Sequence, residues 1–181
     1  MDNNNLCGID EAGRGPLAGS LVIAGVVLTS PIEGLMDSKK LSEKKREILY
    51  EMVIQNAQYH IVSFSAAEVD RLGISQCLQN GLQQIQSHLP NRAYLFDGNS
   101  SFGVPHISTM VKADTQIAQV SAASILAKVT HDKEMYEIAK KYPQYGFEKH
   151  KGYGTKAHID AILKHGRCEA HRHTFRVKGL D

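Results

Sequence analysis

The chain lacks any apolar run long enough to cross a membrane. Its longest, Leu17 to Leu28, covers twelve positions including two glycines. A spanning helix needs roughly 20 residues, so the stretch reads as a buried strand. A disulfide framework is missing as well. Cys7, Cys77 and Cys168 are odd in number and scattered, and 181 residues with 42% hydrophobic content can bury a core without staples. The opening Met1-Asp2-Asn3-Asn4-Asn5 has no basic leader, and a cytoplasmic location is expected. No repeat, low-complexity tract or long linker interrupts the sequence. The expectation is one α/β domain over residues 1–181, with residues from about 140 to 181 as a basic helical extension.

Net charge is also small, at +2, but it is unevenly placed. From Lys140 onward there are ten Lys and Arg against four Asp and Glu, leaving eleven against fifteen before it. A basic end and an acidic body suit a protein that grips a polyanion with one region and gathers carboxylates in another. Tyr142, Tyr145, Phe147 and Tyr153 alternate with Lys149, Lys151 and Lys156. So many aromatics predict an ordered nucleic-acid surface rather than a solvated tail.

Strands are predicted at Leu6–Asp10, Ser20–Leu28, Tyr59–Phe64, Ala93–Phe96 and His106–Val111, from β-branched and apolar runs. Ser42 caps a helix to about Asn56, whose buried stripe is read as Ile48, Leu49, Met52 and Val53. Helices are also predicted over Ile74–Leu89 and from about Gln116 to Lys141.

The chemistry concentrates where strands end. Gly8-Ile9-Asp10-Glu11-Ala12-Gly13-Arg14-Gly15 puts two carboxylates at the end of an apolar strand, followed by a glycine turn around an arginine. Asp10 and Glu11 can hold a hard divalent cation, and the bare backbone of Gly13 and Gly15 lets a nucleic-acid strand approach closely. The alternative for the same residues is a tight turn with solvated charges. Successive strand residues face opposite sides, so Asp10 and Glu11 share a site only if the strand twists or stops at Glu11. Tyr94-Leu95-Phe96-Asp97-Gly98-Asn99 repeats the pattern, and ligands of open α/β sheets gather at the carboxyl ends of adjacent strands.

A fourth carboxylate could come from Asp114 or Asp132. On one continuous helix they would lie about 27 Å apart, so they cannot serve the same cation pair. Asp114 falls between a strand and a helix start, where a plain N-cap is the alternative; Asp132, beside His131 and Lys133, reads as solvated. Ser121-Ala122-Ala123-Ser124 reads as a close-packing run with no histidine partner for a nucleophile. Cys168, His171 and His173 are close enough for zinc, but one cysteine without a second pair is a weak ligand set. Lys39 and Lys40 precede a helix N-terminus and could contact phosphate.

Taken in order, these segments resemble the bacterial ribonuclease HII family over nearly the whole chain. The resemblance rests on Asp10-Glu11-Ala12-Gly13-Arg14-Gly15-Pro16-Leu17, Asp37-Ser38-Lys39-Lys40-Leu41-Ser42, Asp97-Gly98-Asn99, Lys112-Ala113-Asp114, Ser121 to Val129, Lys151-Gly152-Tyr153-Gly154-Thr155 and His171-Arg172-His173-Thr174-Phe175. It implies a ribonuclease H-like mixed sheet flanked by helices. It further implies a catalytic metal set of Asp10, Glu11, Asp97 and Asp114, with Asp114 as the fourth acid, and two Mg²⁺ or Mn²⁺ ions as cofactors. The implied substrates are RNA·DNA hybrids and duplex DNA holding single ribonucleotides, cut 5′ of the ribonucleotide. Gly13, Arg14 and Gly15 would read the 2′-hydroxyl, and Tyr153 would pack on the next sugar. Ala113 stands where bacterial relatives usually have glycine, and His173 where a second arginine is common. No sliding-clamp peptide is read, and a monomer is expected. Two rivals, a non-catalytic nucleic-acid binder and a hydrolase of small phosphates, each explain only one half of the charge pattern.

Overall fold

The computed structural model describes residues 5–35 and 41–180. Five strands form one mixed sheet: β1 (Leu6–Ala12), β2 (Leu21–Leu28), β3 (Ala57–Phe64), β4 (Ala93–Asp97) and β5 (Ile107–Met110), in the order β3-β2-β1-β4-β5. β1 to β3 form an antiparallel meander, whereas β4 and β5 add parallel to the other edge of β1. The helices are α1 (Glu43–Asn56), α2 (Ala66–Leu72), α3 (Ile74–His88), α4 (Ala118–Lys141), α5 (Phe147–His150) and α6 (Lys156–His165).

The pleat of β2 explains why its whole length is apolar. Leu21, Ile23 and Val27 join Cys7, Ile9, Phe96 and the buried side of α3 in one core layer. Val22, Ala24, Val26 and Leu28 face the other way, toward α1 and α4. A strand covered on both faces needs no polar alternation. In β1 the same period sends Cys7 and Ile9 to the α3 layer and Gly8, Asp10 and Ala12 to the α4 side. Gly8 is the contact point: a Cβ there would sit 2.3 Å from the backbone of Gln119 and Val120. α4 therefore lies directly on β1 just before Asp10.

Several expectations are corrected in detail. Leu49 and Val53 of α1 are buried, but Ile48 and Met52 are exposed. The face that meets the β2 and α4 layer is made by Leu49 and Val53 with the partly buried Tyr50 and Ile54, so Ile48 and Met52, 100° round on the other side, face outward. The long helix begins at Ala118 rather than Gln116, because a separate 3-10 turn, Ala113–Thr115, precedes it. α2 was not anticipated. Its signal is the capping box of Ser65 and Glu68, with the Ser65 hydroxyl accepting from the Glu68 N–H and the Glu68 carboxylate from the Ser65 N–H.

The C-terminal region is helical, as expected, but its aromatics do another job. Tyr145 and Phe147 are buried with Met135, Ala139 and Ile162 in a third apolar cluster, while Tyr153 stays 43% exposed. The basic residues are partly paired too, Lys141 with Glu169 and Lys156 with Asp160. The alternation of aromatic and basic residues reflects a packed subdomain edge more than a continuous binding face.

Gly8→Ala is expected to destabilise the fold by about 1–3 kcal/mol, because the new methyl must push α4 off the sheet. Urea denaturation of the two chains measures the difference.

Candidate active site

β1 and β4 are parallel with Ile9 opposite Phe96, so the next residues, Asp10 and Asp97, stand side by side at the carboxyl ends of both strands. The turn after β5 brings in the third acid. The Asp97 carboxylate accepts the N–H of Lys112 at 3.0 Å and that of Asp114 at 3.1 Å. Lys112 takes a left-handed conformation to make this turn, and Ala113 does not. The alanine at 113 therefore causes no backbone strain. Carboxylate oxygens of Asp10, Asp97 and Asp114 all lie within 4.8 Å of one another, with Asp10 and Asp114 buried.

Glu11 is placed differently. Its N–H donates to Asp10 Oδ1 at 2.8 Å, and one carboxylate oxygen pairs with Arg14 at 2.8 Å. The other oxygen, Oε2, is buried without a hydrogen-bond partner. β1 runs on to Ala12, so the strand does not stop where sharing a site required. Among the described residues, three aspartates form the compact group, and Glu11 borders it.

Crowding shows in the ionisation of the acids. Burial and then the neighbouring Glu11 charge push the Asp10 carboxyl well up from its ordinary value; Ser124, hydrogen-bonded to it, partly offsets this. Burial is also the main cause raising Glu11 and Asp97. Hard oxygen donors that repel each other, with one buried oxygen left over, match a divalent cation. Ser124 thus touches the site, which its small-residue run alone did not reveal.

The glycine loop is fixed from below. Gly13 has φ +89°, and a Cβ there would lie 2.3 Å from the Ser20 carbonyl and 2.8 Å from His131. Gly15 has no such need: a Cβ would meet only the Tyr153 ring, at 3.9 Å. Arg172, fully buried, donates to the carbonyls of Gly13 at 2.5 Å, Arg14 at 3.2 Å and Gly19 at 3.1 Å. A trans peptide sets C=O and N–H on opposite sides, so these bonds turn the N–H groups of Arg14 and Gly15 away from Arg172. Arg172 was legible in the sequence only as part of the His171-Arg172-His173-Thr174-Phe175 run, which gives no sign of this role.

A cleft of about 290 Å³ adjoins the acids, lined by Glu11, Ala12, Arg46, Ser124, Lys128 and Tyr153. Asp132 is not solvated as expected but buried, accepting from Lys128 at 2.8 Å and contacting His131 at 3.4 Å. Those partners attract it inward. Cys168 and His171 are neighbours, but His173 is exposed and its N–H bonds Asp70; no zinc set forms among the described residues. Lys39 and Lys40 lie outside the described residues.

The family model for ribonuclease HII matches residues 7–178. The chain belongs to the ribonuclease HII family. A Ribonuclease HII from Sulfurovum sp. (strain NBC37-1) is 72% identical over 176 residues, covering 97% of this chain and 94% of the relative. Among solved structures, the RNase HII of Archaeoglobus fulgidus, in a complex with PCNA, superposes with a TM-score of 0.80 at 25% identity, covering 96% of each chain. The ribonuclease H2 of Pyrococcus horikoshii OT3 gives 0.75 at 26% identity, covering 95% of this chain and 94% of that one. This ribonuclease HII family chain is accordingly a type 2 ribonuclease H, a hydrolase of the nuclease class, on a mixed sheet flanked by helices.

Two glycines of one loop should respond differently to the same change. Gly13→Ala is expected to lower stability by at least about 1–3 kcal/mol, whereas Gly15→Ala should melt like the parent and lose cleavage instead; thermal melts beside a cleavage assay separate them. Asp132 gives a pH test. Burial would raise its carboxyl, but the His131 and Lys128 bonds outweigh that and hold it below its ordinary value. Its stabilising effect is therefore present above about pH 4 and lost as pH falls through the lowered value. Asp132→Asn should cost about 1–2 kcal/mol at pH 7, and denaturation curves should converge with the parent's toward pH 2.

Proposed function

We propose that this chain is an endoribonuclease that hydrolyses the RNA strand of RNA·DNA hybrids and cuts 5′ of single ribonucleotides embedded in duplex DNA, leaving 3′-hydroxyl and 5′-phosphate ends. The reading assigns two Mg²⁺ or Mn²⁺ ions to Asp10, Glu11, Asp97 and Asp114. What carries it is the convergence of three aspartates from β1, β4 and the turn after β5, directly beside a glycine loop and an exposed tyrosine.

Such cations, when bound, supply Lewis acidity and charge neutralisation for phosphodiester hydrolysis. The chain's own residues do the rest. Sheet register holds Asp10 and Asp97 adjacent, the Lys112 turn orients Asp97 through two N–H bonds, and Ser124 steadies Asp10. Arg14 pairs with one Glu11 oxygen, and the other, buried without a hydrogen-bond partner, is left for a cation. Outward N–H groups at Arg14 and Gly15 suit the 2′-hydroxyl, the group that separates RNA from DNA. Tyr153 packs on the following deoxyribose in this reading, which the open space between its ring and Gly15 supports. Arg46 and Lys128 in the cleft offer cations to phosphate.

A duplex containing one ribonucleotide, incubated with the protein and Mg²⁺ or Mn²⁺, should be cut once, on the 5′ side of that ribonucleotide. Asp97→Asn should slow single-turnover cleavage about 10³-fold, equivalent to several kcal/mol of transition-state stabilisation, while duplex binding persists. Tyr153→Ala should slow it about tenfold to a hundredfold. Cleavage that ignores the ribonucleotide, or survives in Asp97→Asn, would overturn the reading.

A further inference from the structure

Three histidines lie inside the third apolar cluster, and none of them takes part in the chemistry above. His150 stacks on His158 with ring centroids 4.3 Å apart, while Tyr145 and Phe147 meet His171 at 4.8 and 5.5 Å. Their protons can be placed from the backbone. The Cys168 N–H donates to His171 Nδ1 at 2.9 Å, so in the neutral ring that nitrogen is bare and Nε2 carries the proton. His171 Nε2 is 3.1 Å from His158 Nε2, which must then accept. The His158 proton is left on Nδ1, 2.9 Å from the Tyr153 carbonyl. One backbone donor and one backbone acceptor thus fix the direction of the whole chain.

Its two ends belong to the two elements that the proposed function assigns to substrate. At one end is Tyr153. At the other, His171 bridges Ala18, the Arg172 N–H donates to Leu17 O at 2.8 Å, the Gly19 N–H to Ala170 O at 2.9 Å, and the Arg172 side chain holds the glycine loop.

We propose that His158 and His171 are positioning residues, a hydrogen-bond chain of fixed direction that sets Tyr153 against the glycine loop. The inference rests on the reading of Tyr153 as a substrate contact. Chain direction requires both rings neutral, and the surroundings favour that state. Burial, chiefly, pushes each imidazole down to about 4, and the Arg167 charge acts in the same sense on His171.

A double-mutant cycle tests it by single-turnover cleavage of the one-ribonucleotide duplex, on chains checked by circular dichroism at the assay temperature. His158→Gln lacks the donor toward Tyr153 and should slow cleavage about tenfold in the parent but less than about twofold in Tyr153→Ala. His158→Asn, which can return an N–H near the Nδ1 position, should recover to within about threefold of the parent. If His158→Gln does not fold, His171→Asn breaks the chain from its other end and enters the same cycle. Equal losses in both backgrounds, or no recovery in His158→Asn, overturn the inference alone. A parental rate for Tyr153→Ala overturns the contact reading itself and the inference with it.

Discussion

Three carboxylates held within 4.8 Å of each other are the constraint around which the chain is arranged. Left to themselves they would move apart, or Asp10 and Asp97 would take up protons, since burial and nearby negative charge oppose their charged forms. The fold prevents the first outcome by placing them on parts that cannot separate. Asp10 and Asp97 are neighbours because β1 and β4 are parallel and in that register. Asp114 follows because its own N–H is bonded to Asp97. α4 closes the back through the contact at Gly8, where any larger residue would shift the helix.

The C-terminal quarter meets the glycine loop through polar groups buried deep in the protein. Arg172 spends its guanidinium on three backbone carbonyls rather than on a carboxylate. That choice fixes the loop and, through peptide planarity, the outward direction of its N–H groups. The Leu17 N–H to Gly152 O bond and the close approach of Gly152 to Ala18 tie the Tyr153 turn to the same loop. Residues 17–19, 152–153 and 170–172 are therefore one bonded unit, although more than 130 positions separate the first from the second.

Some of this could be read from the sequence. The strands were legible from their β-branched and apolar runs, two of which reach a carboxylate, at Asp10 and Asp97. Family resemblance singled out Asp114, and the structure brings its carboxylate to Asp97. Asp132 misled because charged neighbours in sequence suggest solvent, whereas His131 is buried beside it and Lys128, a helical turn earlier, pairs with it from the half-exposed side. Ile48 and Met52 misled because periodicity gives the width of an apolar stripe but not how much of it a partner covers. Tyr145 and Phe147 alternate with basic residues in the same segment as Tyr153, and only packing distinguishes a core ring from an exposed one.

The sequence by itself determined the residue types at the strand ends, the order of the five strands and three longest helices, and the family. Local pattern suffices for these because they depend on each residue's own chemistry and on its near neighbours. Tertiary structure alone decided that Glu11 borders the aspartate group rather than joining its compact centre, and that Gly13 is required by the fold while Gly15 is not. It also decided that Arg172, His158 and His171 connect the two loops. Those outcomes depend on distances between residues far apart along the chain, which are fixed only when the sheet closes and the C-terminal cluster packs against it.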